Sequence, residues 1–263
     1  MLPERRDLIE TMIRINTVDE VAGIRESAQI VGKCLRMLER EVRPGVTTLK
    51  LDQLAEKFIR DMGGEPAFKG YRGYPASICA SVNEEVVHGI PSAKRVLREG
   101  DVVSLDIGVR REGWYGDAAR TFPVGKISAE AVRLLETTER ALAKGIAQAR
   151  EGGRISDISA AIEREAKASG FTVVRALVGH GIGRELHEDP QVPNYGKPGE
   201  GARLEEGMAL AIEPMVNAGG ADVVTLADQW TVVTVDRKIS AHFEHTVAIG
   251  PNGPEVLSLV EAD

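Results

Sequence analysis

The sequence predicts an α+β fold: antiparallel strands in a sheet covered by two helix pairs, with a pseudo-two-fold relation between the halves. Three observations predict it. Apolar residues recur at helical three- and four-residue spacing over two stretches, near residues 18–62 and 127–169. Each stretch is followed by short β-branched or alternating segments, so helices and strands are grouped rather than interleaved one by one. Laid together at an offset of 107, the helical stretches align Arg43 with Arg150, Gly45 with Gly152, Leu51 with Ile158, Glu56 with Glu163 and Gly63 with Gly170. A fixed offset of this kind is the mark of a duplicated unit.

Thr17-Val18-Asp19-Glu20 is a capping box, in which hydroxyl and carboxylate satisfy each other's exposed backbone N–H groups, so the first helix begins near Val18. Val21, Ile24, Ala28, Val31, Leu35 and Leu38 form its apolar stripe, and Arg43-Pro44-Gly45 stops it. A second helix follows Thr48, turns Leu51, Leu54, Ala55, Phe58 and Met62 inward, and ends at Gly63-Gly64. ASICASV, DVVSLDIGV and WYGDAARTF then read as strands. Helices are expected again at 127–150 and 156–169, the latter closed by Gly170. FTVVRALV, MALAIEPMV, QWTVVTV and AHFEHTVAI supply the strands of the second half. No composition break marks a linker, so residues 1–263 are expected to form a single domain, with its core over 12–250 and short tails. GHGIGRE follows a strand but lacks the G-x-G-x-x-G spacing, which excludes a dinucleotide-binding turn.

Composition narrows the function. A net charge of −7 without a long Lys/Arg run argues against binding DNA or other nucleic acid. No apolar stretch is long enough for a membrane span or a signal peptide. Cys34 and Cys79 are too few for a disulfide framework or a thiolate zinc cluster, and point to a reducing cytoplasm.

The polar residues inside the strands carry the chemistry. Asp106 interrupts the apolar run VVSLDIGV, and Asp117 follows across a Gly-containing turn that reads as a β-hairpin. With Arg111 and Glu112 at the tip, Asp106 falls directly opposite Asp117, a like-charge pairing that sheets avoid unless a cation lies between. Glu213 sits in ALAIEPMV and Glu244 in AHFEHTVAI, each within an apolar strand. His88 closes VVHGIP; His180 and His187 lie in VGHGIGRELHEDP. Taken one at a time, each has an ordinary reading: Asp106 on the wet face of a half-buried strand, a histidine bonded to backbone, a glutamate paired with arginine. Taken together, four buried acids need four counter-charges, and these strands carry few arginines. Two divalent cations balance Asp106, Asp117, Glu213 and Glu244, and His180 adds a nitrogen ligand. Such a donor set suits Mn, Fe, Co or Zn, and points to metal-assisted hydrolysis.

Six motifs in order, VVHGIP, SLDIG, YGDAARTF, GHGIGRELHEDP, AIEPM and EHTV, closely resemble those of the type I methionine aminopeptidases. The resemblance runs from about residue 12 to 250 and implies their pita-bread (creatinase/aminopeptidase) fold. It implies two divalent metal ions, of Co, Mn, Fe(II), Zn or Ni, held by Asp106, Asp117, His180, Glu213 and Glu244, with Asp117 and Glu244 bridging. His88 and His187 match substrate-contacting catalytic histidines, and Glu213 the acid that also transfers a proton. Tyr71, Tyr74, Cys79 and Trp230 match the lining of the methionine pocket, where sulfur and aromatic groups suit a thioether. Leu186 stands where many relatives carry Phe, a departure that bears on the shape of that pocket. The substrates implied are N-terminal Met-Xaa peptides of nascent chains with a small second residue, hence a transient ribosome contact, although no basic patch marks one. A monomer is implied, as is retention of Met1 before the bulky Leu2. The absence of a preceding zinc-finger or basic extension fits a bacterial-type enzyme. Two rivals share the resemblance: an Xaa-Pro aminopeptidase or prolidase, expected to carry a large additional N-terminal domain, and a metal-free peptide-binding relative, expected to have lost ligands.

Overall fold

The computed structural model describes residues 13–260; the Met1-Leu2 start and the whole of the expected N-terminal tail lie outside the described residues. In the first half, α1 (Val18–Glu39) and α2 (Thr48–Asp61) precede β1 (Glu65–Pro66), β2 (Cys79–Val82), β3 (Glu85–Val87), β4 (Val102–Arg111) and β5 (Trp114–Pro123). In the second, α3 (Ala129–Ile146) and α4 (Ile155–Ala168) precede β6 (Thr172–Val173), β7 (Val178–Gly181), β8 (Glu188–Pro193), β9 (Ala209–Ile212) and β10 (Met215–Asn217). There follow β11 (Val223–Thr225), β12 (Val232–Thr234), β13 (Ser240–His242), β14 (His245–Gly250) and β15 (Gly253–Val256).

The helices obey the local signals. Thr17 and Glu20 complete the capping box of α1, and Ile24, Ala28, Val31, Leu35 and Leu38 are buried along its stripe. Thr47, not Thr48, caps α2, and Ser128 caps α3. Because α2 closes at Asp61, Met62 becomes its cap and is 36 % exposed instead of turning inward. The expected 127–150 and 156–169 helices are Ala129–Ile146 and Ile155–Ala168. The first pair buries its stripe with Ile107 and Val109 of β4, while the second packs Leu134, Ile158 and Ile162 against Leu210, Ile212 and Val247. Contact is close where α1 crosses β5. A Cβ on Gly116 would lie 2.4 Å from the Ala28 backbone nitrogen, so only glycine admits the helix.

The strands are antiparallel, and their registers make the duplication quantitative. Glu65 pairs with Arg110 and Pro66 with Val109; 107 residues later, Thr172 pairs with Asn217 and Val173 with Val216. The long strand β4 therefore corresponds to β9 and β10 together. Between them Glu213 and Pro214 break the ladder, because proline has no N–H to give it. Past the hairpin the offset becomes 125: Gly108 faces Asp117 as Met215 faces His242, and Ser104 faces Thr121 as Ala211 faces Thr246. Those 18 extra residues form β11 and β12, which fold back onto β3 and carry Trp230.

The hairpin corrects one expectation. Asp106 faces Ala119, and Asp117 faces Gly108, so the two acids are diagonal neighbours on one face and not a directly opposed pair. The tip is Glu112-Gly113, with φ of 51° and 82°. A two-residue turn with positive φ at both positions matches the right-handed strand twist, and it moves the pairing by two residues from an Arg111-Glu112 tip. A shift of two preserves the face.

Candidate active site

Both long hairpins deliver acids to the seam between the halves. Asp106 lies mid-strand in β4, opposite Cys79 of β2. Asp117 in β5 is 4 % exposed, and Thr246 clamps its backbone: the hydroxyl accepts the Asp117 N–H at 2.9 Å and donates to its carbonyl at 2.7 Å. Glu213 occupies the break before Pro214, its carbonyl accepting from Asn194 Nδ2. Glu244 lies between β13 and β14, 2 % exposed, and its N–H donates to the Ala119 carbonyl at 2.8 Å. His180 of β7 has Nδ1 2.9 Å from the Gly181 carbonyl. That contact assigns its proton to Nδ1 and leaves the Nε2 lone pair free, the arrangement of a histidine ready to ligate.

Ligand atoms of Asp117, His180 and Glu244 come within 4.8 Å of one another. Asp106 Oδ1, Asp117 Oδ1 and Glu244 Oε1 are buried with no hydrogen-bond partner among the described residues. Among the described residues no Lys or Arg pairs with any of the four acids; only His180 and His242 reach one, Glu213, at 3.5 and 3.6 Å. Burial pushes Asp106 up to about 6, with Glu213 adding to the rise and His242 opposing it. Burial likewise takes Glu213 to about 7 against the pull of His180. Asp117 and Glu244 lie well above the usual carboxylate range, through burial first and then the neighbouring acids. Orphaned oxygens, mutual repulsion and one free imidazole nitrogen are what a divalent-cation site requires, so the residues fit a metal.

Around these groups runs a cleft of about 170 Å³ lined by all eleven expected site residues. His88, in a left-handed conformation (φ 59°) just past β3, is pushed down to about 4 by burial and then by His242. Its ring meets Trp230 edge-on at 6.4 Å. His187 stands at the exposed mouth, 4.3 Å ring to ring from His180, and its Nδ1 lies 2.9 Å from the Tyr71 hydroxyl. It is held below the usual imidazole range by burial first, then by His180, Arg72 and His88. Tyr74 donates to the Ile78 and Gly89 carbonyls, which fixes its ring edge-on to Trp230 at 5.1 Å. Cys79 is raised above the usual thiol range by burial and so remains an uncharged wall group. Leu186 and Phe68 complete an apolar wall with Tyr74 and Cys79.

Sequence reasoning did not assign Phe68, Arg72 or His242 to this region. His242 shares a strand face with Glu244, two positions away, and that spacing is the signal that could have found it. His245 is half-buried outside the cleft, its Nδ1 2.8 Å from the Ser258 hydroxyl.

Residues 22–251 match the family model of metallopeptidase family M24. The chain belongs to metallopeptidase family M24. Within that family it is similar to the methionine aminopeptidase of Clostridium acetobutylicum, 54% identical over 250 residues that cover 95% of this chain and 100% of the relative. It is 53% identical to methionine aminopeptidase 1 of Bacillus subtilis, again over 95% of this chain and 100% of the relative. The crystal structure of methionine aminopeptidase from Thermotoga maritima superposes with a TM-score of 0.93 at 46% identity, covering 95% of this chain and 100% of that one. Prolidase from Pyrococcus furiosus, at 22% identity, shares the M24 pita-bread fold with a TM-score of 0.77 over 69% of its own length.

Proposed function

We propose that this M24 chain is a metalloaminopeptidase, one catalytic domain that hydrolytically removes the N-terminal methionine from chains whose second residue is small. The observation that carries the proposal is the convergence of Asp106, Asp117, Glu213 and Glu244 with the free His180 Nε2, in a cleft where the acids have no Lys or Arg partner among the described residues. These five residues would hold two divalent ions, of Co, Mn, Fe(II), Zn or Ni. When bound, the ions supply an activated water and polarise the scissile carbonyl.

The protein's own groups do the rest. Tyr74, Cys79, Trp230, Leu186 and Phe68 form an aromatic, thiol-bearing wall for the thioether side chain. His88 and His187, both held neutral near pH 7, present ring N–H groups toward a peptide in the cleft without bringing a positive charge to the acids. Tyr71 fixes the ring of His187 through its Nδ1. The Glu213 carboxyl, with burial pushing it up to about 7, is suited to take a proton on one oxygen and deliver it to the leaving amine. The substrates are N-terminal Met-Xaa peptides of nascent chains, met by a cytoplasmic monomer in transient contact with the ribosome. No described helix is long and apolar enough to cross a membrane.

Titrating chelator-treated protein with Mn(II) or Co(II), and measuring cleavage of Met-Ala-Ser beside Ala-Pro-Ala, tests the reading. Metal-dependent release of methionine from the first peptide alone is expected. Preferential cleavage of Ala-Pro-Ala, or turnover of Met-Ala-Ser unaffected by chelator, overturns it.

A further inference from the structure

One titratable side chain outside the five proposed ligands is buried against them and has no assigned role. His242 ends β13 and is 1 % exposed, and neither of its ring nitrogens has a hydrogen-bond partner among the described residues. Its Nε2 lies 3.6 Å from Glu213 Oε2, a few tenths of an ångström beyond hydrogen-bond length. Across the same carboxylate, His180 Nε2 lies 3.5 Å from Oε1. Glu213 therefore stands between two imidazoles, one facing each oxygen, and among the described residues no other side chain forms an ion pair or hydrogen bond with its carboxylate.

The backbone holds His242 as firmly as it holds a ligand. The Thr121 hydroxyl accepts the His242 N–H and donates to the His242 carbonyl, both at 2.9 Å. Thr246 makes the same two bonds to Asp117. Thr121 and Thr246 are counterparts at the 125-residue offset, and so are Asp117 and His242. His242 thus occupies the second half's version of a ligand position, clamped identically, but with an imidazole aimed at a ligand's carboxylate.

We propose that His242 is a positioning residue: its Nε2–H donates to Glu213 Oε2 and fixes the carboxylate so that Oε1 faces the metal side, beside His180. The proposal rests on reading Glu213 as ligand and proton carrier. A carboxylate left to rotate in the break before Pro214 would hold metal less tightly and present its proton-bearing oxygen less often. Loss of such an outer partner typically weakens metal affinity about 10–100-fold.

Two variants separate orientation from packing. His242→Leu fills the space without a donor, and His242→Gln restores one through its amide. Calorimetric titration of the chelator-treated proteins with Mn(II) reads metal affinity, thermal melting of the same metal-free samples reads the fold, and kcat and KM on Met-Ala-Ser read the chemistry. The expected result is an affinity loss of about 10–100-fold in His242→Leu and a lower kcat at nearly constant KM. Metal-free melting should stay close to wild type, and His242→Gln should recover most of the affinity and kcat. Wild-type affinity and kcat in His242→Leu overturn the proposal, as does an equal loss in both variants that follows a fall in metal-free melting temperature. Wild-type protein that binds no Mn(II) instead overturns the reading of Glu213 on which the proposal stands.

Discussion

Asp117→Asn should make the metal-free protein more stable while destroying its capacity to bind metal. In the folded chain Asp117 is 4 % exposed, one carboxylate oxygen has no partner, and Asp106, Glu213 and Glu244 surround it. Burial displaces Asp106 from 3.8 to about 6 and Glu213 from 4.5 to about 7. At about 1.4 kcal/mol per pH unit, charging either one in place costs about 3 kcal/mol. Burial and the neighbouring acids also hold Asp117 well above the usual carboxylate range, and its charge adds to the cost of Glu244. A neutral amide of the same shape removes that repulsion, so at pH 7.5 in chelator the variant should gain about 3 kcal/mol. For a chain of this size that is a melting temperature roughly 6–12 °C higher. Each of these acids binds its proton more tightly folded than unfolded. The metal-free wild type therefore keeps its full stability below about pH 4 and loses it as pH climbs through about 7, and the advantage of Asp117→Asn should vanish at pH 4. With Mn(II) at about 1,000 times its Kd, the wild type regains about 4.1 kcal/mol and the order reverses. Differential scanning calorimetry at both pH values, with and without metal, reads all of this. A chelated Asp117→Asn that melts below chelated wild type at pH 7.5, or a gap of equal size at both pH values, refutes the argument.

His88→Ala should leave metal stoichiometry intact by elemental measurement and lower kcat on Met-Ala-Ser about 100-fold or more, since one donor to a developing oxyanion is worth that much. Thr246→Val keeps the shape but strands the buried N–H and carbonyl of Asp117; urea unfolding should show a loss of about 2–4 kcal/mol, with weaker metal binding. Gly116→Val should cost about 3 kcal/mol or more by the same measurement, because its Cβ would meet the Ala28 backbone at 2.4 Å, where no side chain can yield.

Much of this was legible because local chemistry and global fold agree. The Thr17–Glu20 box starts α1, and the 107-residue offset found in the helices extends without error to the strand pairs Pro66–Val109 and Val173–Val216. The four acids stood out because they interrupt apolar strands. What failed was register. The tip was expected at Arg111-Glu112, whereas a glutamate accepts the left-handed conformation beside Gly113 and moves the ladder by two. Side-chain alternation survives such a shift, so Asp106 and Asp117 still share a face. His242 escaped notice for a different reason. Alternation says only that it points with Glu244, and whether that direction is core or site depends on the crossing of β5 and β13, a contact between residues more than a hundred positions apart. Trp230 is out of reach of any spacing argument, because it arrives on the 18 residues by which the second hairpin exceeds the first.

The departures from two-fold symmetry carry a further consequence for charge. Each half packs its own apolar cluster on its own helix pair, and the cluster joining them across the seam is smaller, built from Ile24, Ala28 and Trp114 against Ile182, Ala209 and Ala248. The acids meet at that seam, Asp106 and Asp117 from one side, Glu213 and Glu244 from the other. Asp106 and Glu213 are true counterparts at the 107-residue offset, whereas Asp117 answers to His242 and Glu244 to Ala119. Had the duplication kept an acid at every such position, six carboxylates would face one another in a buried space, two more than the proposed pair of divalent ions neutralises. Replacing one by a small apolar residue and another by a neutral hydrogen-bond donor sets the charge at four. The same exchange turns a symmetric acid cage into one with a distinct proposed ligand, Glu213, whose two oxygens face different histidines. An enzyme that must both hold metal and pass a proton in one direction needs that asymmetry.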